Sequence, residues 1–217
     1  MPGYASSLVH VYLLDDHDIV RRGLRDLLVA AKDIQVVGDS GSTRGAARAI
    51  LDLGTDVMVL DVQLQDGTGI EVCRQVRAVD PSVSALLVTS FDEDEALAAA
   101  ILAGAGGYVV KASRGDHIIG AVRRLGSGRS MIDPALAEPV VRQLRAQLPS
   151  LSLTEHEQVL LELVLEGLTD REIADRTGTD LDHTGPEVAA LIGRITSSTP
   201  PHAGPGTPDS PGRHRRG

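Results

Sequence analysis

The chain has 217 residues, enough for one large domain or two smaller ones, and 42% of them are hydrophobic while aromatics make up only 2%, so its core must be aliphatic. A formal charge of −9 argues against a generic nucleic-acid binder without excluding a local basic face. No apolar run reaches the roughly 18 residues of a membrane span, Met1–Ser7 lacks a secretory pattern, and the single cysteine, Cys73, cannot form an internal disulfide. A soluble cytoplasmic protein with no membrane contact is expected.

From Leu8 to about Gly126, short apolar runs alternate with helical patterns. Leu8–Leu14 reads as a strand. His17–Ala31 reads as a helix with Ile19, Val20, Leu24, Leu27 and Leu28 as its apolar stripe and Arg21, Arg22 and Arg25 turned outward. Ile34–Val37 is a strand and Thr43–Leu53 a helix. Val57–Leu60, four apolar residues in a row, is a fully buried parallel strand closed by the carboxylate of Asp61. A helix follows from about Thr68 to Val79, with Cys73 as a buried structural thiol, and Pro81 breaks the pattern. Ala85–Thr89 is a strand, Glu93–Ala103 a helix, Gly107–Val110 a strand and Gly115–Leu125 a helix. Five strand–helix units in strict alternation specify the α/β class with a doubly wound, five-stranded parallel sheet over residues 8–126. Right-handed crossovers then put every strand C-terminus on one edge.

Residues 127–152 read as a linker in which Asp133-Pro134 opens a helix that runs to Gln147. From 153 to 196 the signals are helical only. Thr154 with Glu157 forms a capping box ahead of Val159, Leu160, Leu163 and Val164, and Gly167 ends that helix. Thr169 caps a second helix through Arg176. The third runs from Pro186 to Ile195, with Val188, Leu191, Ile192 and Ile195 on one side. Three such helices suit a small all-α helix-turn-helix domain. Residues 197–217, rich in Ser, Thr, Pro, Gly and His and ending Arg213-His214-Arg215-Arg216, lack the apolar content to fold and are expected to form a disordered tail.

Polar residues recur at the predicted strand ends: Asp15-Asp16 after the first, Asp61 at the third, Thr89-Ser90 at the fourth and Lys111 after the fifth. Three carboxylates on one edge repel one another unless a cation sits among them. Oxygen donors favour a hard divalent ion, and Mg²⁺ is the usual choice where a phosphoryl group adds oxygens. Carboxylate, metal clamp, lysine and hydroxyl together describe a phosphoryl-accepting site. Each residue alone has an ordinary structural role, but the ordered set on one edge does not arise from four such accidents. A metal-dependent hydrolase is disfavoured, because His17 is the one nearby candidate for a water-activating base.

The segments Leu13-Leu14-Asp15-Asp16-His17, Arg21-Arg22-Gly23-Leu24, Leu60-Asp61-Val62, Asp66-Gly67-Thr68-Gly69-Ile70-Glu71, Leu87-Val88-Thr89-Ser90 and Ala103 to Lys111 resemble a response regulator of two-component signalling. The resemblance covers the first domain fully and extends over Leu153–Arg176. It is to the branch with a flavodoxin-like receiver followed by a LuxR/NarL-type helix-turn-helix, and most of all to actinobacterial DevR/DosR-like regulators. It implies that Asp61 accepts a phosphoryl group from a sensor histidine kinase, and that Asp15, Asp16, Asp61 and the backbone carbonyl of Gln63 hold Mg²⁺. Thr89 and Lys111 would engage the phosphoryl oxygens, and Tyr108 would move with Thr89 to report phosphorylation, unless it simply packs on the sheet edge. The implied protein is not an enzyme beyond autophosphatase turnover, and it can form a homodimer.

Two departures accompany the resemblance. Gln65 stands where this branch usually has proline. In the third helix, where the family carries basic residues into the major groove, the sequence has Asp180, Asp182 and Glu187, leaving Thr184 and Arg194 as the candidate DNA contacts. Two functions therefore remain open: transcriptional regulation through DNA, or a phosphoryl sink or protein-interaction regulator whose helix-turn-helix no longer binds DNA specifically.

Overall fold

The alternating pattern becomes a parallel sheet in the computed structural model, which describes residues 8–90, 93–111, 113–147 and 152–198. Strands β1 (Val9–Leu14), β2 (Ile34–Ser40), β3 (Val57–Asp61), β6 (Ser84–Thr89) and β7 (Gly107–Val110) lie in the order β2-β1-β3-β6-β7, all neighbours parallel. The strand order reverses direction between β1 and β3. In open α/β sheets that switch point is where a crevice opens beyond the strand ends.

Alternation along each strand feeds two cores. Val11, Leu13, Val57, Val59, Leu86 and Val88 face the helices α1 (Asp18–Val29) and α5 (Gly115–Gly126). Tyr12, Leu14, Met58, Leu60 and Leu87 face α2 (Ala46–Asp52), α3 (Gly69–Val79) and α4 (Glu93–Ala103). The apolar stripe of α1 is narrower than its spacing suggests: Leu24 and Leu28 are buried, but Ile19 is 88% exposed. Arg21 does not turn to solvent either, since its Nη1 donates to the Asp15 carbonyl at 2.5 Å. A two-residue hairpin, β4 (Gln63–Leu64) with β5 (Gly67–Thr68), was not expected from the sequence and fills the turn after β3.

The second core continues into the helices beyond the sheet. After α6 (Pro134–Gln147) come α7 (Glu155–Leu165), α8 (Asp170–Thr177) and α9 (Leu181–Ser198). Leu160, Ile173, Val188 and Leu191 belong to the same apolar cluster as Ile70 and Val76 of α3. Both expected capping boxes form: Thr154 with Glu157, and Thr169 with Glu172. Val159 departs from its expected place on the apolar face and is 50% exposed.

Helix α9 begins five residues before the expected start at Pro186. The Asp180 carboxylate accepts the Asp182 amide at 3.1 Å, and its carbonyl accepts the Thr184 amide at 2.9 Å, so Asp180 starts the helix. Pro186 then lies inside it, exposed, at the cost of one backbone hydrogen bond. The helix also extends past Ile195 to Ser198, while the remainder of the expected tail, 199–217, lies outside the described residues.

Replacing Thr169 by alanine should lower stability by about 1 kcal/mol in urea unfolding, the usual cost of losing a helix cap. The amide of Thr169 and, after it, the Thr169 hydroxyl hold the Glu172 carboxyl below the usual glutamate range. A lowered pKa contributes stability above the unfolded value that is lost as pH falls through the folded one. The gap between Thr169→Ala and wild type should therefore narrow in acid.

Candidate functional site

The switch point gathers the predicted strand-end residues. Asp15 follows β1, Asp61 ends β3, Thr89 ends β6 and Lys111 follows β7. Register explains the convergence: Leu14 pairs with Leu60, Asp61 with Val88 and Thr89 with Val110, so the four ends stand side by side.

Asp15 and Asp61 are 2% and 5% exposed. Lys111 Nζ stands 2.6 Å from Asp61 Oδ2 and 3.1 Å from Asp15 Oδ2, and the first contact is a hydrogen bond. Burial pushes the Asp61 carboxyl above the usual range, Lys111 pulls it back, and the nearby Asp15 adds to the rise. Burial on its own would lower the Lys111 ammonium, but its contacts with Asp61 and Asp15 outweigh that and hold it protonated. Thr89 is buried at the same edge, and its carbonyl accepts the Lys111 amide at 2.6 Å.

Asp16 is positioned from two sides. Its Oδ2 accepts the Gln65 amide at 3.1 Å, while its Oδ1 faces His17 Nδ1 at 2.8 Å. Proline at position 65 could not make the first of these bonds, because it has no N–H. The departure at Gln65 thus adds a tie between the β3–α3 loop and the acidic pair.

Carboxylate or imidazole atoms of Asp15, Asp16, His17 and Asp61 all lie within 4.8 Å of one another. Asp15 Oδ2 and Asp16 Oδ1 are buried and accept no hydrogen bond, although the Lys111 ammonium lies 3.1 Å from Asp15 Oδ2. Buried anionic oxygens left in that state are costly without a counter-charge. The donor set fits a hard divalent cation. At Gln63 the backbone amide donates to Asp61 Oδ1 at 3.4 Å.

A family model described as the response regulator receiver domain matches residues 11–123. This chain belongs to the response regulators. The regulator is 46% identical over 173 residues to the DNA-binding transcriptional activator DevR/DosR of Mycobacterium tuberculosis (strain ATCC 25618 / H37Rv), a match covering 78% of this chain and 80% of that protein. It is 33% identical over 197 residues to the transcriptional regulatory protein LiaR of Bacillus subtilis (strain 168), covering 88% and 92%. Among solved structures it resembles a two-component response regulator of the LuxR family from Aurantimonas sp. SI85-9A1, with TM-score 0.56 and 30% identity over 63% of this chain and 98% of that one.

Other candidate residues of the regulator fall outside the acidic pocket. Tyr108 is half-buried on β7; burial raises its phenol pKa, and Glu93 and Asp94 at the start of α4 add to the rise. Thr184 is corrected as a DNA contact. It is 1% exposed, donates from Oγ1 to the Asp180 carbonyl at 3.0 Å and meets Thr179 Oγ1 at 2.7 Å, so it packs the start of α9 inward. Arg194 is on the exposed side of α9, with Nη2 2.5 Å from Glu157. Among the described residues, no helix is long and apolar enough to cross a membrane.

Sequence reading underrated His17, considered only as a candidate base, and missed Arg74. Arg74 leaves α3 to meet Asp170 of α8, both almost fully buried. Adjacency to Asp15-Asp16 was the available signal for His17. For Arg74 there was none, because its partner lies 96 residues away.

Proposed function

We propose that the regulator is controlled by phosphorylation of Asp61 and regulates transcription through the helices at 155–198. The observation that supports it best is the convergence of Asp15, Asp61 and Lys111 within 3.1 Å contacts, in a chain of the receiver family. Asp61 attacks the phosphorus of a sensor kinase's phosphohistidine through a carboxylate oxygen. An acyl phosphate forms as the N–P bond to the imidazole breaks. Lys111, already on Asp61 Oδ2, and the Thr89 hydroxyl engage the transferred oxygens. Asp15, Asp16, Asp61 and the Gln63 carbonyl would hold Mg²⁺, which when bound supplies positive charge beside the phosphoryl oxygens. Tyr108 reports the modified state together with Thr89. Self-hydrolysis of the acyl phosphate is the only turnover this reading includes. Its setting is the cytoplasm, and its partners are the kinase, DNA and a second copy of the chain.

A labelled small acyl phosphate with Mg²⁺ should label the wild-type chain, and Asp61→Asn should take no label. Label that survives that substitution refutes the assignment.

One observation favours the second reading. The exposed residues of α9 include Asp182, His183, Pro186, Glu187 and Arg194, a face with more acid than base. Such a surface repels phosphate. A phosphoryl sink or protein-interaction regulator fits it. A gel shift at low salt against genomic fragments separates the two: a shift supports the DNA reading, and no shift in either phosphorylation state supports the sink.

A further inference from the structure

His17 reaches into the acidic pocket with the wrong geometry for a hydrogen bond and the right spacing for a shared ion. Its Nδ1 lies 2.8 Å from Asp16 Oδ1, 3.3 Å from Asp15 Oδ1 and 3.9 Å from Asp61 Oδ2. Asp16 Oδ1 nevertheless accepts no hydrogen bond. Around an octahedral ion with ligands at about 2.1 Å, neighbouring donors stand about 3.0 Å apart and opposite ones about 4.2 Å apart. The two shorter contacts fit neighbouring positions and the longest approaches an opposite one. Asp15 is buried with Lys111 Nζ 3.1 Å from its Oδ2, and Asp16 is already oriented by the Gln65 amide, so these donors are held before any ion arrives.

We propose that His17 is a nitrogen ligand of this pocket and widens its choice of cation from Mg²⁺ to borderline divalent ions such as Ni²⁺ and Zn²⁺. Imidazole suits these ions, whereas carboxylate, carbonyl and water suit Mg²⁺. The inference rests on the cation site described under the proposed function and adds a residue and an ion class to it. The His17 ring is largely exposed and packs in neither core, so its removal leaves the fold standing.

The test uses the full chain. Calorimetric titration should give a Ni²⁺ to Mg²⁺ affinity ratio that falls at least about tenfold in His17→Ala, in line with the effect of lost groups around a metal. Pulsed electron paramagnetic resonance of bound Mn²⁺ should show nitrogen coupling in wild type and none in His17→Ala. An unchanged affinity ratio, or bound Mn²⁺ without nitrogen coupling, overturns the proposal. So does nitrogen coupling that persists in His17→Ala, since the nitrogen then comes from another residue of the chain. Labelling of wild-type Asp61 with Mg²⁺ alone is read in parallel. Label without nitrogen coupling sinks the His17 proposal and leaves the phosphoacceptor reading intact, whereas coupling without label does the reverse.

Discussion

Replacing Arg74 by methionine should cost about 3 to 5 kcal/mol in urea unfolding at neutral pH, the usual penalty for stranding one partner of a buried ion pair. Arg74 Nε donates to Asp170 Oδ1 at 2.8 Å, Nη1 to the Leu102 carbonyl at 2.9 Å and Nη2 to the Leu168 carbonyl at 3.0 Å. One guanidinium thus ties α3 to the end of α4 and to the start of α8. Arg171 adds a further tie, donating from Nε to the Ala78 carbonyl at 2.8 Å. The double variant Arg74→Met with Asp170→Leu should recover most of the loss, because no unpaired charge is left buried. A single-variant cost below about 1 kcal/mol would show that the apolar cluster, not the pair, holds α8 on α3.

The same variant carries a pH signature. Burial already raises the Asp170 carboxyl above its usual range, and Arg74 pulls it down. Without Arg74 the burial effect acts unopposed. A raised carboxyl pKa contributes stability that is complete below the unfolded value and is lost as pH rises through the folded one. The deficit of Arg74→Met should therefore shrink as pH is lowered from neutral into the carboxylate range. A deficit that grows in acid would contradict the assignment.

The second large effect is expected at Gly69, the first residue of α3. A Cβ built there would stand 2.1 Å from the Asp61 carbonyl oxygen and 3.0 Å from Leu60 Cβ. Both neighbours belong to the central strand, so neither can swing aside as a surface side chain would. The Gly69 amide also donates to the Val62 carbonyl at 3.1 Å, pinning the helix start to the loop after Asp61. Gly69→Ala should lower stability by about 1 to 3 kcal/mol through overpacking. It should also slow Asp61 labelling by on the order of a hundredfold, since an ångström of misplacement at a reacting group has that effect. Gly120→Ala in α5 is the control: nothing lies within 4 Å of its added Cβ. It should leave labelling unchanged and add roughly 0.5–1 kcal/mol of stability. Equal behaviour of the two variants would refute the close-approach argument.

Short-range signals proved dependable wherever the physics is short-range. The strands at 57–61 and 107–110, the helix at 93–103 and both capping boxes follow from apolar runs and from hydroxyl–glutamate spacing, which act over a few residues. Local pattern failed where a competing contact decided the outcome. Pro186 looked like a first-turn residue, but Asp180 caps an earlier start and the helix absorbs the proline. Ile19 fits the helical stripe of α1, yet in the first turn of that helix it stays in solvent.

Strand alternation and crossover handedness leave few arrangements besides the parallel α/β framework, and apolar runs already mark the ends of β1, β3, β6 and β7, whereas β2 runs to Ser40, past the expected Val37. From those ends the sequence by itself also determined the identity of the acidic pocket's main members. Tertiary structure alone decided the rest. Whether Thr184 faces outward, whether His17 turns back onto Asp16 and whether Arg74 finds Asp170 each depend on how separately formed elements pack. A helical period states which residues share a face, but not what that face will meet.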